Sequence, residues 1–467
     1  MNMTGLQQKM FQELESQKGL KLAHNYALSY VKQVFDRNVY PSESALENLV
    51  HFDEDLPQET GDPESTLDRL NTYGGPATVA TSGSRYFGFV TGSALPITLA
   101  SKSLSTVWDQ APAMHITSPI GSKLETIVED WLRKLFKLPE TTVAGFVSGT
   151  SLANFCGLAA ARFHQLSKLG WNVNEQGLNG SPRLRVVSGR QCHSTILKAI
   201  SLLGFGVDHI EWVPTDDQGR VIASEIPELD ETSILILQAG NVNTGSFDDF
   251  NAICKSAQEK GAWIHIDGAF GLWAQATTNL SHLTKGMEHA DSWAVDAHKT
   301  LNTPYDSGIV LCKNPEALKS ALHMTGSYII TSPQRDGMFY TPEMSRRSRI
   351  IELWAALHYL GKDGVDQLVE TMHHRAVQFK EELEQIAGFH VLNEVVFNQV
   401  LVRCDTDEIT EKVMAHIQDQ RECWVGGSAW DNKKTIRISI CSWATTAADI
   451  SRSVASFRKA ITAVAHA

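Results

Sequence analysis

Four short segments place polar side chains where buried strands are expected to end. Each follows a run of apolar residues and carries candidates for chemistry: Gly149, Thr150 and Ser151 in the first segment, His193 in the second, Asp267 in the third, and His298 with Lys299 in the fourth. In an open α/β sheet, ligands bind at the carboxyl ends of the strands. We therefore expect these residues to share one site.

Each residue type suits a particular part of that chemistry. Small hydroxyl residues at the start of a helix, such as Thr150 and Ser151, offer N–H groups, hydroxyls and the positive helix end to a phosphate. A carboxylate such as Asp267 can keep a ring nitrogen protonated, because an adjacent opposite charge stabilises the charged form. A desolvated lysine such as Lys299 can attack carbonyl carbons. A histidine such as His193 can stack on an aromatic ring.

Taken singly, each segment also has an ordinary structural interpretation. Thr150, Ser151 or Asp267 can cap a helix, most lysines are solvated surface charges, and His193 can be a hydrogen-bonded structural residue. Their order along the chain is more specific than any one of them. Together they supply what pyridoxal 5′-phosphate needs: a phosphate cradle, a ring cover, an anion for the ring nitrogen and a lysine for a Schiff base.

The surrounding pattern indicates which elements hold these residues. Between about residues 120 and 315, helical patterns alternate with seven apolar runs: TVAGFVS, LRVVSG, HIEWVP, SILILQAG, AWIHID, SWAVDAH and SGIVLCK. This alternation predicts a mostly parallel sheet covered by helices on both faces. A long helical pattern and three further β-like runs follow. We predict an N-terminal helical arm (1–84), a large cofactor-binding α/β domain (85–347), and a connecting helix with a small C-terminal α+β domain (348–467).

The composition excludes several classes of protein. Of the 467 residues, 42% are hydrophobic and 20% are charged, as in soluble globular proteins. A formal net charge of −12 without any basic run predicts no nucleic-acid partner. The N-terminal segment has no apolar stretch of signal-peptide or membrane-span length, so we expect a cytoplasmic protein without a membrane partner. Seven scattered cysteines predict buried free thiols and no metal site.

The segments HSTILKA, WIHIDGAFG and DAHKTLNTPYDSG resemble those of the group II pyridoxal-phosphate-dependent amino acid decarboxylases, which include aromatic-L-amino-acid, glutamate and tyrosine decarboxylases. RYFGFVTGSALP, TSPIGSKLETIVEDWL and TIRISICS match as well, so the resemblance runs from about residue 35 to 460. It implies a fold-type I (aspartate aminotransferase-like) α/β enzyme that forms homodimers. The implied reaction is a lyase reaction, in which an L-amino acid gives its amine and carbon dioxide.

The resemblance also implies roles for individual residues. Lys299 would form the Schiff base, and His298 would lie near the phosphate held by Gly149, Thr150 and Ser151. His193 would stack on the cofactor ring, Asp267 would pair with the ring nitrogen, and Ala269 would pack against the other face. Two further matches are Asn243, where the family often has a threonine facing the cofactor, and Arg437, which matches a C-terminal arginine near the active site.

The substrate and the proton donor are less fully specified. In the family, a tyrosine on a mobile loop protonates the carbon that loses carbon dioxide; Tyr328 and Tyr340 flank that place here. Phe87 and Phe89 lie in the stretch that lines the side-chain pocket of the family, which favours an aromatic or apolar amino acid. The alternatives are an aldehyde synthase or aminotransferase on the same fold, or an inactive cofactor-binding homologue. A nicotinamide dehydrogenase is set aside, because no complete G-x-G-x-x-G motif is present.

Overall fold

The seven apolar runs form one seven-stranded sheet in the computed structural model, which describes residues 4–322 and 332–466. The strands are β1 (Val143–Val147), β2 (Arg185–Gly189), β3 (Ile210–Val213), β4 (Ser233–Gln238), β5 (Trp263–Asp267), β6 (Ser292–Asp296) and β7 (Gly308–Cys312). Their order is β1-β7-β6-β5-β4-β2-β3, and only β7 runs antiparallel to its neighbours. The predicted mostly parallel α/β sheet is confirmed.

The N-terminal arm consists of short helices that bury little of their own surface. Its α-helices are α1 (Gly5–Ser16), α2 (Lys18–Gln33), α3 (Glu43–Glu47) and α4 (Pro63–Arg69). Thr4 begins α1 with a capping box to Gln7, so the helix start is set locally. Neither α1 nor α2 contains a buried residue. The arm therefore presents its apolar side chains to the outside of this chain.

Helices cover both faces of the large sheet. They are α5 (Pro96–Trp108), α6 (Pro119–Leu135), α7 (Thr150–Lys168), α8 (Val173–Gln176), α9 (Ser194–Leu202), α10 (Phe250–Glu259) and α11 (Pro315–Leu322). Successive side chains of a strand point to opposite faces. Leu235 and Leu237 accordingly join one apolar cluster, while Ile234 and Ile236 join the other. Burial on both faces explains why these strands are continuous apolar runs in the sequence.

The C-terminal region forms a separate layer with its own core. Its helices are α12 (Ile350–Glu384), α13 (Asp407–Gln420) and α14 (Ala447–Ala465), and its strands are β8 (His390–Val391), β9 (Gln399–Arg403), β10 (Gly426–Trp430) and β11 (Lys433–Ser439). The strands form an antiparallel sheet of order β10-β11-β9-β8. This smaller α+β unit agrees with the predicted fold class. Gly361 interrupts α12 with a φ of 59°.

One detail of the sequence pattern is corrected by this sheet. The first of the three β-like runs in the C-terminal region is HVLNEVVFNQVLVRC, and it forms the two strands β8 and β9 instead of one. The side chain of Asn393 folds the segment back, because it accepts the N–H of Leu401 and donates to the carbonyl of Gln399. The hydrogen bonds of this buried amide take the place of bonds between neighbouring strands. A hydropathy pattern does not show such a turn, because apolar residues lie on both sides of Asn393.

The chain around residue 85 joins the small unit rather than the large sheet. Tyr86 forms a bridge with Trp424, and Phe87 is buried in the apolar cluster of the small unit. The guanidinium of Arg85 donates to the carbonyl of Glu422 at 2.8 Å. Within the described ranges, none of the helices combines the length and apolarity needed to cross a membrane.

Candidate active site

A cavity of about 330 Å³ opens at the carboxyl ends of β4, β5 and β6, beside the start of α7. Its lining residues are Phe89, Val90, Gly149, Thr150, Ser151, His193, Thr195, Gln238, Gly240, Val242, Asp267, Ala269, Phe270, Asp296, His298, Lys299 and Arg437. Among the residues that the structure describes, every predicted site residue except Phe87, Asn243 and Tyr340 is in this list. A larger groove of about 720 Å³, beside α6 and α12, contains none of the predicted residues.

The first wall of the cavity is the turn that begins α7. Gly149 precedes the helix, and no side chain caps it. The hydroxyl of Thr150 is buried and has no hydrogen-bond partner within the described part of the chain. A Cβ on Gly308 would lie 2.4 Å from the Gly149 backbone, so glycine is required for this close approach. The N–H of Thr150 already donates to Asp296, so the free hydroxyl of Thr150 and the remaining N–H groups of the helix start are what the turn offers to an anion such as a phosphate.

The carboxylate of Asp267 lies at the end of β5 and is buried. Its Oδ2 accepts a hydrogen bond from Asn154 Nδ2 at 3.1 Å, and its Oδ1 accepts the N–H of Ala269 at 3.2 Å. Burial raises the pKa of Asp267, while His193, Lys299 and these hydrogen bonds act to lower it. A buried carboxylate with two donors and unfilled acceptor capacity is suited to pair with a cationic ring nitrogen.

Lys299 lies beside a carboxylate that the sequence analysis did not single out. Its Nζ is 3.1 Å from Oδ2 of Asp296, and Nε2 of His298 is 3.6 Å from the same oxygen. The other oxygen, Oδ1, accepts the N–H of Thr150 at 2.7 Å. Asp296 thus links the turn of α7 to the lysine. His298 also accepts the N–H of Ser307 at 3.1 Å, and burial lowers its pKa.

Two further side chains complete the cavity from other elements. His193 precedes α9, where its Nδ1 is 2.9 Å from the hydroxyl of Thr195. Burial lowers the pKa of His193, which favours the neutral ring. Arg437 extends from β11 of the small sheet and donates to the carbonyl of Val242 at 3.3 Å. Its Nε is buried without a partner in the described residues, so it can still bind an anion.

Three predicted residues lie outside the cavity. Phe87 is 1% exposed and packs edge to face on Phe379. Phe89 lines the cavity instead, because its left-handed backbone, with a φ of 55°, interrupts the alternation of an extended segment. Asn243 accepts a hydrogen bond from the Ser428 hydroxyl at 2.7 Å. The ring of Tyr340 lies 3.9 Å from the Arg335 guanidinium. Tyr328 lies outside the described residues.

Sequence reasoning missed Asp296 and Asn154, for different reasons. Asp296 ends the apolar run SWAVD, so the signal used for Asp267 also applies to it. Asn154 lies one turn into α7 and meets Asp267 only through tertiary packing. Thr195, Gln238 and Phe270 line the cavity as well, and their residue types alone carried no signal.

Comparisons with known proteins show the family of the chain. The model of the pyridoxal-dependent decarboxylase conserved domain matches residues 57–404. An aromatic-L-amino-acid decarboxylase of Bacillus atrophaeus is 26% identical over 72% of this chain and 69% of its own. A phenylacetaldehyde synthase of Petunia hybrida is 27% identical over 62% and 60%. The crystal structure of Oryza sativa TDC with PLP and tryptamine superposes with a TM-score of 0.88 at 19% identity, covering 97% of this chain and 98% of that one.

Proposed function

The chain belongs to the pyridoxal-dependent decarboxylase family, and we propose that it removes the α-carboxyl group of an L-amino acid, releasing the amine and carbon dioxide. The observation that carries this proposal is that one cavity holds Lys299, Asp267 and the buried hydroxyl of Thr150, which has no hydrogen-bond partner among the described residues. When bound, pyridoxal 5′-phosphate supplies an electron sink for the electron pair left on the substrate's Cα. Binding the cofactor, holding its ring nitrogen protonated and binding the substrate would be the tasks of residues in the cavity.

The residues of the cavity fit this cofactor. Thr150 and Ser151 would bind the phosphate, since the Thr150 hydroxyl is buried and unpaired in the described part of the chain. Lys299 would attach the cofactor, and Asp267 would hold a proton on its ring nitrogen. His193 would cover the ring, because its neutral imidazole is fixed by the Thr195 hydroxyl at the cavity wall. Ala269 would pack on the opposite face.

The rim of the cavity supports an aromatic or apolar substrate. Phe89 is 64% exposed and stacks on Trp424 with ring centroids 5.4 Å apart, and Trp424 stacks on Tyr86 at 5.1 Å. A Cβ on Gly88 would lie 2.2 Å from the Trp424 ring, so glycine permits the stack. Exposed aromatic faces can pack on an aromatic side chain. Arg437 would bind the substrate's anionic group through its free Nε.

A second candidate function is decarboxylation-dependent aldehyde synthesis. Phenylacetaldehyde synthases of Petunia hybrida and of a Rosa hybrid cultivar are 27% and 25% identical to this chain. On this second route, Cα would react with molecular oxygen instead of receiving a proton. The amino acid, oxygen and water would then give an aldehyde, carbon dioxide, ammonia and hydrogen peroxide. An aminotransferase on the same scaffold would instead release a keto acid.

The arm supports a homodimer as the working form of the enzyme. Leu6, Met10, Phe11 and Leu14 are each more than half exposed on α1, and Val107 of α5 is 72% exposed. Exposed apolar faces of this kind mark sites of association. A second copy of the chain would cover the arm. All seven cysteines are free, which suits a reducing compartment such as the cytoplasm.

The decisive experiment is product analysis. Purified protein with added pyridoxal phosphate is incubated with L-tyrosine, L-phenylalanine, L-tryptophan, L-glutamate and L-2,4-diaminobutyrate, and products are identified by mass spectrometry. Lys299→Ala serves as the control. An amine that is absent in the control supports decarboxylation; an aldehyde with peroxide supports the second candidate. If the cofactor binds and no amino acid is consumed, the proposal is wrong and the chain is a cofactor-binding homologue.

A further inference from the structure

A continuous chain of buried hydrogen bonds runs behind Asp267, away from the cavity. Trp263 Nε1–H donates to Ser292 Oγ at 3.0 Å, and Ser292 Oγ lies 2.8 Å from His265 Nδ1. His265 Nε2 lies 2.9 Å from Asn154 Oδ1, and Asn154 Nδ2–H donates to Asp267 Oδ2 at 3.1 Å. Ser292, His265 and Asn154 are fully buried, so no solvent competes for these bonds.

The tryptophan end of the hydrogen-bond chain determines its direction. An indole N–H only donates, so Trp263 must give its proton to Ser292. The Ser292 hydroxyl then donates to His265 Nδ1, and His265 donates from Nε2 to the oxygen of Asn154. Asn154 is thereby left with its NH₂ group towards Asp267. In this direction every donor has an acceptor.

The opposite direction leaves polar groups unmatched. If His265 carried its proton on Nδ1, Ser292 would accept from both His265 and Trp263. The proton of Ser292 would then have no acceptor among the contacts of the described residues. Asn154 would also turn its oxygen towards the carboxylate of Asp267. A buried polar group without a hydrogen-bond partner costs more free energy than a hydrogen bond contributes. The hydrogen-bond chain therefore favours the direction in which Asn154 donates to an ionised Asp267.

The space for His265 is made by a glycine of α7. A Cβ at Gly157 would lie 2.7 Å from both Cε1 and Nδ1 of the ring. Burial lowers the pKa of His265 to about 3, and no charged side chain offsets it. The ring therefore stays neutral and keeps one tautomer at neutral pH. The titratable groups that act on Asp267 itself are His193 and Lys299, which line the cavity, and the thiol of Cys192.

We infer that Asn154 is a positioning residue, oriented by His265 and Ser292, that holds Asp267 ionised and directed at the ring nitrogen of the cofactor. This inference rests on the proposed function. Asn154 provides the one side-chain hydrogen bond that Asp267 receives in the described residues; its other donor is the backbone of Ala269. Removing that donor makes the carboxylate more basic. The proton shared by the carboxylate and the ring nitrogen then moves towards the carboxylate.

The test is nuclear magnetic resonance of the enzyme loaded with pyridoxal phosphate that carries ¹⁵N in the ring. The ¹⁵N shift reports whether the ring nitrogen is protonated, independently of turnover. Asn154→Leu keeps the volume and removes the donor. We expect the ratio of ring-protonated to ring-unprotonated cofactor at neutral pH to fall about tenfold or more, because hydrogen bonds to charged groups are the strong ones.

A matched control separates this role from general stability. Gln165 lies in the same helix, is 1% exposed and donates to the carbonyls of Glu231 and Gly261 at 2.9 and 3.0 Å. Gln165→Leu removes a comparable buried amide that does not contact Asp267. It should destabilise the fold and leave the ¹⁵N shift at the parental value.

Variants of His265, the residue hydrogen-bonded to Asn154, keep the inference testable if Asn154→Leu does not fold. His265→Leu should lower the protonated fraction of the ring nitrogen at neutral pH, and His265→Gln, whose amide can still donate to Asn154, should restore most of it. Parental ¹⁵N shifts in Asn154→Leu and His265→Leu would overturn the inference and leave the proposed function standing. A parent protein that does not bind the cofactor, or binds it with an unprotonated ring, would instead overturn the proposed function.

Discussion

The packing of His265 against α7 can be tested by replacing Gly157 with alanine. Alanine is the better helix former, and by propensity alone the substitution should stabilise the protein by about 0.5 to 1 kcal/mol. The structure predicts the opposite sign. The new Cβ would lie 2.7 Å from two atoms of the His265 ring and 3.3 Å from Ser292 Oγ, a separation that requires the ring to move.

The magnitude follows from two losses. Overpacking a close-packed core costs about 1 to 3 kcal/mol, and displacing the ring weakens the bond between His265 and Ser292, worth about 1 kcal/mol. After the propensity gain is subtracted, Gly157→Ala should lower the free energy of unfolding by about 1 to 3 kcal/mol. Gly19→Ala is the control, because its Cβ would lie 3.7 Å from Leu67, an ordinary contact.

The assay is urea denaturation of both variants and the parent without cofactor, at one protein concentration, so that ligand and dimer effects are held constant. Gly157→Ala should lose stability and Gly19→Ala should not. If Gly157→Ala is as stable as the parent, the ring does not pack on α7 as described. The direction of the hydrogen-bond chain behind Asp267 would then lose its support.

A buried ion pair, the neutral histidine and the lysine each lead to a further prediction. Glu125→Gln should lower the free energy of unfolding by about 3 to 5 kcal/mol in urea denaturation, because it leaves the buried Arg346 guanidinium without its carboxylate. The control Asp130→Asn, on the surface of the same helix, should lower it by less than about 1 kcal/mol. Equal losses in the two variants would contradict the burial of the Glu125–Arg346 pair. A histidine with a folded pKa of about 3 stays neutral while its unfolded counterpart protonates near pH 6.5, so stability falls as pH falls. Between about pH 6.5 and 4.5 the parent should lose about 2 kcal/mol more than His265→Gln, and parallel profiles would refute this. Borohydride reduction should add the cofactor's mass to the Lys299 peptide and to no peptide of Lys299→Ala; a label on another lysine would contradict the assignment.

The strands and their ends were predictable because they depend on local properties. A strand buried on both faces must be apolar throughout, so β1 to β7 were visible as seven runs. Polar residues directly after such runs lie at the ligand-binding edge by topology alone. Thr150, Asp267 and Lys299 therefore line the cavity as expected.

The positions of the other predicted residues depend on how the two units pack together, which no local sequence pattern encodes. Phe87 and Phe89 are two positions apart on one segment, yet Phe87 enters the core of the small unit and Phe89 reaches the cavity. Their roles follow from how the small unit packs against the large one. Asn243 lies outside the cavity and is hydrogen-bonded to Ser428 of the small unit. Arg437 belongs to the same small unit and lines the cavity.

By itself, the amino-acid sequence determined the α/β class, the edge of the sheet that carries the site, and the residue types expected for the cofactor. These follow from hydropathy and from the geometry of strand ends. The tertiary structure alone decided which side chains act together across the site: Asp296 with the turn at Thr150, and Asn154 with Asp267 and His265. Such pairs join elements far apart in the chain, so they arise only when the packed core brings those elements within hydrogen-bonding distance.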